Sequence, residues 1–397
     1  MEPVSARLAS LAPSATMAMN QLSRDLKAKG VDVINLSVGE PDFNTPDHIK
    51  AAGKKAIDDN FSFYPPAPGF PDLREAISAK FKRENNLDYK PEQIVVSTGA
   101  KNSLANVILS LIDKGDEVIV PSPYWVTYAE LVKLAEGKNV VIRGGIENNF
   151  KVTAKQIEDA ITPKTKALLL CSPSNPTGSV YSKEELADIA AVIEKNPRVF
   201  VITDEIYEHI NYIGKHESIG QFNAIKDRVV IINGVSKAYA MTGWRIGYMA
   251  APLWLAKACI KLQGQLTTGP TTNAQKAAVT ALNGDQTCVT DMLKAFTRRK
   301  NLVKGMLEEI PGLEVTDPDG AFYFFPKADS YFGKSYNGKK INDANELCLF
   351  LLEEGHIATV SGDAFGEPSC FRISFATSDE KLVEAMNRLK ATLAKLS

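Results

Sequence analysis

Residues 199–207 read Val-Phe-Val-Ile-Thr-Asp-Glu-Ile-Tyr, an apolar and β-branched run that ends on a carboxylate. Val199–Thr203 lacks the alternation of polar and apolar residues, which is typical of a strand covered on both faces. Five similar runs are Ile94–Ser97, Glu117–Val120, Asn139–Ile142, Ala167–Cys171 and Val229–Ile232. Helix-like stretches lie between most of them, among them Asp72–Glu84, Lys183–Lys195 and Trp254–Leu266. This alternation predicts an α/β fold with a mostly parallel sheet over roughly residues 46–295.

The chain after residue 295 has a different pattern, which predicts a smaller α+β domain. A charged helix is expected over Thr290–Glu309, and short strands are expected at Ala321–Phe325, Ile357–Val360 and Cys370–Phe375. Thr377–Glu380 has the form of a capping box that opens a further amphipathic helix. We expect residues 1–45 to join residues 296–397 in this small domain, beside a large domain of residues 46–295.

The composition argues against several classes of protein. Lys plus Arg is 46 and Asp plus Glu is 47 in 397 residues, so the net charge of −1 predicts neither a nucleic-acid nor a membrane partner. The five Cys include no CxxC pair and the four His are scattered, so we expect reduced thiols, a cytoplasmic protein and no metal site. Residues 1–3 open no secretion signal, and no apolar run approaches the ~18 residues that span a bilayer.

Familiar nucleotide and hydrolase motifs are absent: the sequence contains no GxGxxG, GxxxxGK[ST], GxSxG or HExxH. Polar side chains instead gather where the predicted strands end. Residues 234–247, GVSKAYAMTGWRIG, follow a strand and place Ser236, Lys237 and Arg245 close together. A lysine beside a buried strand loses hydration, which lowers its pKa and favours a nucleophilic amine. Ser236 and Arg245 are suited to holding a phosphate.

The other strand ends carry complementary groups. Asp204 lies at the crevice where α/β sheets bind ligands, with Tyr207 three residues later, although Asp204 could instead cap a helix. Asn175 stands between two prolines in SPSNPTG (172–178), on a rigid turn that presents its amide. The backbone amides of residues 99–101 precede a predicted helix and can meet a phosphate. Trp125 in SPYW (122–125) offers a flat aromatic face.

Three neighbouring residues leave a choice open. Glu205, Glu208 and His209 combine carboxylates with an imidazole, which suggests a metal site, but the prediction favoured here is a solvated helix face.

Together these strand ends supply an amine, a carboxylate, a phosphate cradle, hydrogen-bond donors and a flat ring, which is the set that pyridoxal phosphate needs. The amine of Lys237 would form a Schiff base with the cofactor aldehyde, and the carboxylate of Asp204 would keep the ring nitrogen protonated. Arg372, in Ser369–Phe375, could hold a substrate carboxylate through two parallel hydrogen bonds.

Six motifs in order resemble those of the class I aminotransferases, and more narrowly those of the bacterial aspartate aminotransferase subgroup that includes prephenate aminotransferases. They are LSVGEPDFNTP (36–46), SPYWVTY (122–128), SPSNPTG (172–178), DEIYEH (204–209), SKAYAMTGWRIG (236–247) and FRISFATS (371–378). The resemblance implies pyridoxal phosphate fold type I, with a mostly parallel seven-stranded sheet in the large cofactor-binding domain. It also implies a cytoplasmic transferase of amino-acid metabolism.

The resemblance also implies a role for each matching residue. Lys237, Asp204 and Tyr207 would be catalytic: the Schiff-base lysine, the partner of the ring nitrogen and a ligand of the ring oxygen. The cofactor would be held by Ala100, Lys101, Trp125, Asn175, Asp204, Tyr207, Ser236, Lys237, Arg245 and Tyr64. The substrate would contact Gly39, Lys101, Trp125, Asn175 and Arg372. Because Tyr64 would reach the phosphate of a second copy, a homodimer with shared active sites is implied.

One stretch departs from the better-known aspartate aminotransferases, which take an arginine from the partner subunit for the side-chain carboxylate. Lys261–Thr272 contains no Arg here. In the subgroup that this chain resembles, a lysine at the position of Lys101 serves instead, which implies a dicarboxylic amino donor such as L-aspartate or L-glutamate. Thr16 also matches a position associated with prephenate use.

Four functions therefore remain in comparison. The first is transamination between aspartate or glutamate and oxaloacetate or 2-oxoglutarate. The second keeps the chemistry and takes prephenate or an aromatic oxo acid as acceptor. The third is a pyridoxal phosphate lyase of the same fold. The fourth, a non-enzymatic regulator, has no DNA-binding extension or basic patch to support it.

Overall fold

A computed structural model describes residues 4–397, so residues 1–3 of the predicted small domain lie outside the described residues. The helices are α1 Ala6–Ala9, α2 Ala15–Ala28, α3 Asp47–Asp58, α4 Pro71–Asn85, α5 Ala100–Leu111, α6 Thr127–Leu134, α7 Ala154–Ala160, α8 Lys183–Lys195, α9 Leu253–Leu266, α10 Thr272–Asn283, α11 Thr287–Glu308, α12 Ala344–Gly355 and α13 Asp379–Leu393. The strands are β1 Ile34–Asn35, β2 Ile94–Thr98, β3 Glu117–Ser122, β4 Lys138–Arg143, β5 Thr165–Cys171, β6 Phe200–Asp204, β7 Val229–Gly234, β8 Ile246–Ala250, β9 Tyr323–Phe324, β10 Ser335–Tyr336, β11 Lys339–Lys340, β12 Ile357–Ala358, β13 Val360–Ser361 and β14 Phe371–Ser374.

The central sheet has seven strands in the order β2-β8-β7-β6-β5-β3-β4, so the predicted sheet is confirmed. Only β8 runs antiparallel to its neighbours β2 and β7. The six apolar runs correspond to β2–β7, whereas β8 was not among them. Its sequence, IGYMA, contains Gly and Ala, which weaken the apolar, β-branched signal of a strand.

Helices cover both faces of this sheet, as the unbroken apolar strands predicted. In β5, Leu168 and Leu170 pack in one buried cluster with residues of α4 and α8. Ala167 and Leu169 point to the other face and pack with residues of α5 and α9. Because successive side chains of a strand point to opposite faces, each strand must be apolar at every position to be buried twice.

A third buried cluster joins α11, α12 and α13 with strands β9 and β14 of the three-stranded sheet β13-β14-β9 and with residues near the beginning of the described chain. Strand β1 pairs in parallel with β12, which ties Ile34 to Ile357. The cluster also includes Tyr207 from the turn after β6. Helix α11 runs without a break through position 295, and the predicted division into two domains stays a prediction.

Three local predictions for this part of the chain need correction. The predicted strand at Ala321–Phe325 is regular only over β9, and the one at Ile357–Val360 is divided into β12 and β13, which pair with different partners. The predicted capping box is not formed. The N-cap of α13 is Ser378, whose side chain accepts a hydrogen bond from the Lys381 N–H. With the helix beginning one residue later, its third position is a lysine, which cannot accept the reciprocal hydrogen bond.

All five cysteines lie within residues 4–397 and are free thiols. In the same described range, no helix combines the length and the apolar character needed to cross a membrane.

Candidate active site

A cavity of about 350 Å³ opens at the carboxyl ends of β5, β6 and β7. Parallel strands end at one edge of a sheet, so residues that are distant in sequence meet there. The site residues that the sequence predicted and that line this cavity are Gly39, Ala100, Lys101, Trp125, Asn175, Asp204, Tyr207, Ser236, Lys237, Arg245 and Arg372. Thr16 lines it as well. Tyr64 does not, and its side chain is 94% exposed.

Lys237 lies in the turn that follows β7, with its amine inside the cavity. Its Nζ donates a hydrogen bond of 2.5 Å to the carbonyl oxygen of Gly39. The rings of Tyr207 and Phe322 lie 5.7 and 5.8 Å from the amine. Burial of the amine lowers the pKa of Lys237 to about 8. A fraction of the amine is therefore neutral and nucleophilic near pH 7.

Asp204 ends β6 as a buried carboxylate at the floor of the cavity. Its Oδ2 accepts a hydrogen bond of 2.8 Å from the Tyr128 hydroxyl, and its Oδ1 accepts one of 3.2 Å from the Ile206 N–H. Burial raises the pKa of Asp204 to about 6 despite these two donors. No helix follows for Asp204 to cap, since the next residues form turns. A cation placed beside this carboxylate would stabilise its charged form.

A cradle for an anion surrounds the beginning of α5. The backbone N–H groups of Ala100 and Lys101 precede the first helical hydrogen bond and have no acceptor among residues 4–397. Gly99, at φ +81°, lets the guanidinium of Arg245 approach, since a Cβ there would lie 2.2 Å from Arg245 Nη2. Arg245 is fixed by a hydrogen bond of 2.8 Å to the Thr242 carbonyl. Free amides, the helix dipole and a guanidinium are together suited to a phosphate.

Arg372 projects into the cavity from β14 and is 2% exposed. Its Nη1 donates to Asn175 Oδ1 at 2.8 Å, and its Nη2 donates to the Ser37 carbonyl at 2.6 Å. The guanidinium carbon lies 4.5 Å from the Tyr323 ring centre. The buried Nε has no partner among residues 4–397. An arginine has five N–H donors, so this one keeps free donors in the fork geometry that matches a carboxylate.

Lys101 and Trp125 lie together at the mouth of the cavity. The Lys101 amine is 4.9 Å from the Trp125 ring centre, and the Trp125 ring packs edge-to-face on Tyr128 at 5.5 Å. The Lys101 side chain as a whole is exposed. Loss of hydration against the ring, together with repulsion from Arg245, lowers the pKa of its amine. No carboxylate contributes to the electrostatics of this amine in the described chain, and it is open to a ligand.

Two cavity tyrosines were not predicted. Tyr128 belongs to the quoted motif SPYWVTY, but nothing in the sequence shows that its hydroxyl reaches Asp204. Tyr323 lies in an apolar run and reads as core, yet its hydroxyl oxygen is 2.7 Å from that of Tyr207. A contact between residues 116 positions apart leaves no local signal.

The prediction of a solvated helix face at Glu205, Glu208 and His209 is wrong. These residues lie in turns, and Glu205 and Glu208 are buried. Glu208 accepts hydrogen bonds from Lys80 and, at 2.7 Å, from Asn233. Although burial opposes ionisation, the Lys80 ammonium holds the pKa of Glu208 well below its usual range.

The same buried network continues to a second histidine. His216 Nε2 lies 3.0 Å from Glu205 Oε2, and Glu205 raises the pKa of this imidazole against the effect of burial. Within residues 4–397, the groups Glu84–Glu208–His209 and Glu205–Glu208–His216 bring ligand atoms close enough for a metal. The ammonium of Lys80 already neutralises Glu208, the member that both groups share, so we interpret the network as ion pairs.

The donor set of the cavity fits pyridoxal phosphate. The free amides of α5 with Arg245 suit a phosphate, and the buried Asp204 calls for a cation such as a protonated ring nitrogen. Lys237 supplies an amine for an aldehyde, and Trp125 a flat face for a ring.

Comparisons with known proteins agree with this geometry. Residues 31–389 match the family model of aminotransferase class I and II. The chain is 48% identical over 399 residues, with 100% of both chains covered, to the probable aspartate/prephenate aminotransferase of Rickettsia bellii. It is also similar to the crystal structure of the aspartate aminotransferase of Rhizobium meliloti, with a TM-score of 0.96, 42% identity and 100% of both chains covered. A further similar structure is the aspartate aminotransferase of Thermus thermophilus with maleate, with a TM-score of 0.92, 39% identity and coverage of 99% of this chain and 100% of that one.

Proposed function

This chain belongs to the class I and II aminotransferase family, and we propose that it transfers the amino group of L-aspartate or L-glutamate to a 2-oxo acid. The activity depends on pyridoxal phosphate, as in that family. One observation carries the proposal: the amine of Lys237, the carboxylate of Asp204 and the guanidinium of Arg372 line a single cavity.

Bound pyridoxal phosphate supplies a carbonyl group that takes up the amino group and a ring that withdraws electrons from the substrate. Lys237 then has two tasks in our proposal. Its amine would hold the cofactor before the substrate arrives, and once displaced by the substrate it would take the proton from the substrate α-carbon. A pKa of about 8 suits both tasks, because near neutral pH the amine can lose its proton to act as a nucleophile and can take up a proton as a base. Asp204 would hold the ring nitrogen of the cofactor through a charged hydrogen bond, and the hydrogen bond that it accepts from Tyr128 fixes its orientation.

Two cations account for the proposed substrate class. Arg372, with free donors in a buried pocket, binds the α-carboxylate that all amino acids share. Lys101, exposed at the mouth beside Trp125, binds the second carboxylate of aspartate or glutamate. Gly39, Asn175 and Trp125 complete the substrate surface. The Thermus thermophilus relative was solved with maleate, which carries two carboxylates.

Prephenate is a second candidate acceptor. Thr16 lines the cavity, on the same side as Ser14 and Met17 of the segment that enters α2. The relatives from Rickettsia bellii and Cereibacter sphaeroides carry names that include both aspartate and prephenate. Steady-state rates with oxaloacetate, 2-oxoglutarate and prephenate, each with L-aspartate or L-glutamate as donor, rank these acceptors.

We also propose a cytoplasmic homodimer with shared active sites. Phe63 and Tyr64 are 83% and 94% exposed on one loop, which is unusual for aromatic side chains of a monomer. Mixing Lys237→Ala chains with Tyr64→Ala chains tests the sharing. Hybrid dimers contain one intact site if Tyr64 acts across the interface, so the mixture gains activity over both parents. A mixture no more active than the average of its parents contradicts the shared site.

The absorption spectrum of the purified protein tests the function. We expect visible absorbance from bound pyridoxal phosphate that disappears with L-aspartate and returns with 2-oxoglutarate. Absorbance that L-aspartate and L-glutamate leave unchanged contradicts the amino donor. Absence of any band after reconstitution with pyridoxal phosphate contradicts the catalytic proposal as a whole.

A further inference from the structure

Tyr323 has no part in the function proposed above, yet it contacts three residues that do. Its hydroxyl oxygen lies 2.7 Å from that of Tyr207. Its ring centre lies 4.5 Å from the guanidinium carbon of Arg372. A Cβ at Gly39 would lie 2.2 Å from its oxygen, so the backbone of Gly39 fits closely against the phenol. Tyr323 is fully buried and is fixed between these groups.

The hydroxyl groups of Tyr207 and Tyr323 share a single hydrogen bond. Each hydroxyl has one proton, and one of the two protons lies between the oxygens at 2.7 Å. Neither hydroxyl has another hydrogen-bond partner among residues 4–397. One phenol is therefore the donor of the pair. The other can donate its own proton to a group in the cavity, because both residues line it.

The surroundings favour Tyr323 as the donor. Arg372 lies over its ring, and a nearby cation makes a phenol a stronger acid. Burial raises the pKa of both phenols, and Arg372 opposes the rise at both, as the second-largest cause at Tyr323 and as a lesser one at Tyr207. The stronger acid of two neighbouring phenols is the better hydrogen-bond donor. The backbone of Gly39 also occupies the space beside the Tyr323 oxygen.

We propose that Tyr323 is a positioning residue that donates its proton to Tyr207 and thereby directs the Tyr207 proton toward the ring oxygen of the bound cofactor. This inference rests on the proposed function, because Tyr323 acts through Tyr207. Without the Tyr323 hydroxyl, the Tyr207 proton turns to other directions, and the cofactor loses a fixed donor.

The test compares the wild-type holoenzyme with Tyr323→Phe, Tyr207→Phe and the double variant. In each protein, the visible absorbance of bound pyridoxal phosphate is titrated with pH. We expect Tyr323→Phe to move the midpoint in the same direction as Tyr207→Phe, by a smaller amount, and to add nothing in the double variant. We also expect kcat to fall by about three- to tenfold, the effect of one hydrogen bond. The KM for L-aspartate should stay within about twofold, since the phenyl ring keeps Arg372 in place.

Tyr331→Phe is the matched control. Tyr331 is a buried phenol that donates to the Pro311 carbonyl outside the cavity, so its loss should leave the midpoint unchanged. A Tyr323→Phe protein with the wild-type midpoint, or shifts that add in the double variant, overturns the inference while the proposed function stands. A wild-type midpoint in Tyr207→Phe overturns the inference together with the role of Tyr207. If Tyr323→Phe does not fold, Tyr323→Leu removes the same donor and replaces it for the midpoint alone, because loss of the ring beside Arg372 would also change KM.

Discussion

Replacing Arg372 with lysine should weaken the binding of every substrate without removing the positive charge. The guanidinium has five N–H donors, of which Asn175 Oδ1 and the Ser37 carbonyl take two, at 2.8 and 2.6 Å. An ammonium has three donors, so after serving the same two acceptors it retains one. The α-carboxylate therefore loses one of its two charge-assisted hydrogen bonds. Such a bond contributes about 1.5–3 kcal/mol, which corresponds to about a 10- to 150-fold rise in KM.

Steady-state kinetics with L-aspartate, L-alanine and 2-oxoglutarate measures this effect. Since all three substrates carry the α-carboxylate, their KM values should rise by similar factors, with a smaller change in kcat. The matched control is Arg299→Lys. Arg299 is a buried arginine that holds Asp42 through two hydrogen bonds of 2.7 and 2.9 Å outside the cavity, so its replacement should lower the melting temperature and leave KM unchanged.

Two results would refute the assignment of Arg372. The first is a KM for L-aspartate that changes by less than about threefold, which would mean that the guanidinium contributes no second hydrogen bond. The second is a rise for L-aspartate with no rise for L-alanine, which would assign Arg372 to the distal carboxylate instead.

Three further predictions concern the other charged groups of the cavity. Lys237→Ala should abolish amino transfer together with the absorption band of the lysine-linked cofactor, and wild-type turnover in this variant would contradict its role. In the wild-type apoprotein, the rate of reconstitution with pyridoxal phosphate should rise with pH and level off above about pH 8, where the amine is mostly neutral. Asp204→Asn should abolish turnover but stabilise the cofactor-free protein above pH 6 by up to about 3 kcal/mol. The reason is that burial of the charged carboxylate is unfavourable, which raises its pKa in the folded state from the ordinary value of 3.8 to about 6. The folded state binds the additional proton between these two values, so the stability gap in denaturant titrations should close as the pH falls from about 6 to about 4, and a gap independent of pH would contradict the cause. Lys101→Ala should raise the KM for L-aspartate by about tenfold and that for L-alanine by less than about twofold, and equal losses for the two amino acids would contradict a contact with the distal carboxylate.

Much of the large sheet could be predicted from local sequence pattern. Each of the six runs from Ile94–Ser97 to Val229–Ile232 overlaps a strand of the structure, because a strand buried on both faces must be apolar at consecutive positions. The weaker pattern of β8, with its Gly and Ala, left the seventh strand to be inferred from the family resemblance. The short strands after residue 295 were placed only approximately, since a two-residue strand such as β9 has too little sequence to show a period.

The local sequence pattern predicted the burial of charged side chains least well. Glu205 and Glu208 look like surface residues because carboxylates are rarely buried without partners. Their partners, Lys80 on α4 and His216 after β6, come from other parts of the chain, and only packing brings them together.

The sequence by itself predicted where the candidate site lies: Asp204 ends a strand, Asn175 and Lys237 lie just after strands, and parallel strands end at one edge of the sheet. The tertiary structure alone decided how those groups are held. Arg372 contacts Ser37 from 335 positions away and Asn175 from 197 positions away, and Tyr323 meets Tyr207 across 116 positions. Secondary structure follows from the periodicity of neighbouring residues, whereas hydrogen bonds between distant segments depend on how whole helices and strands pack, and no local pattern encodes that packing.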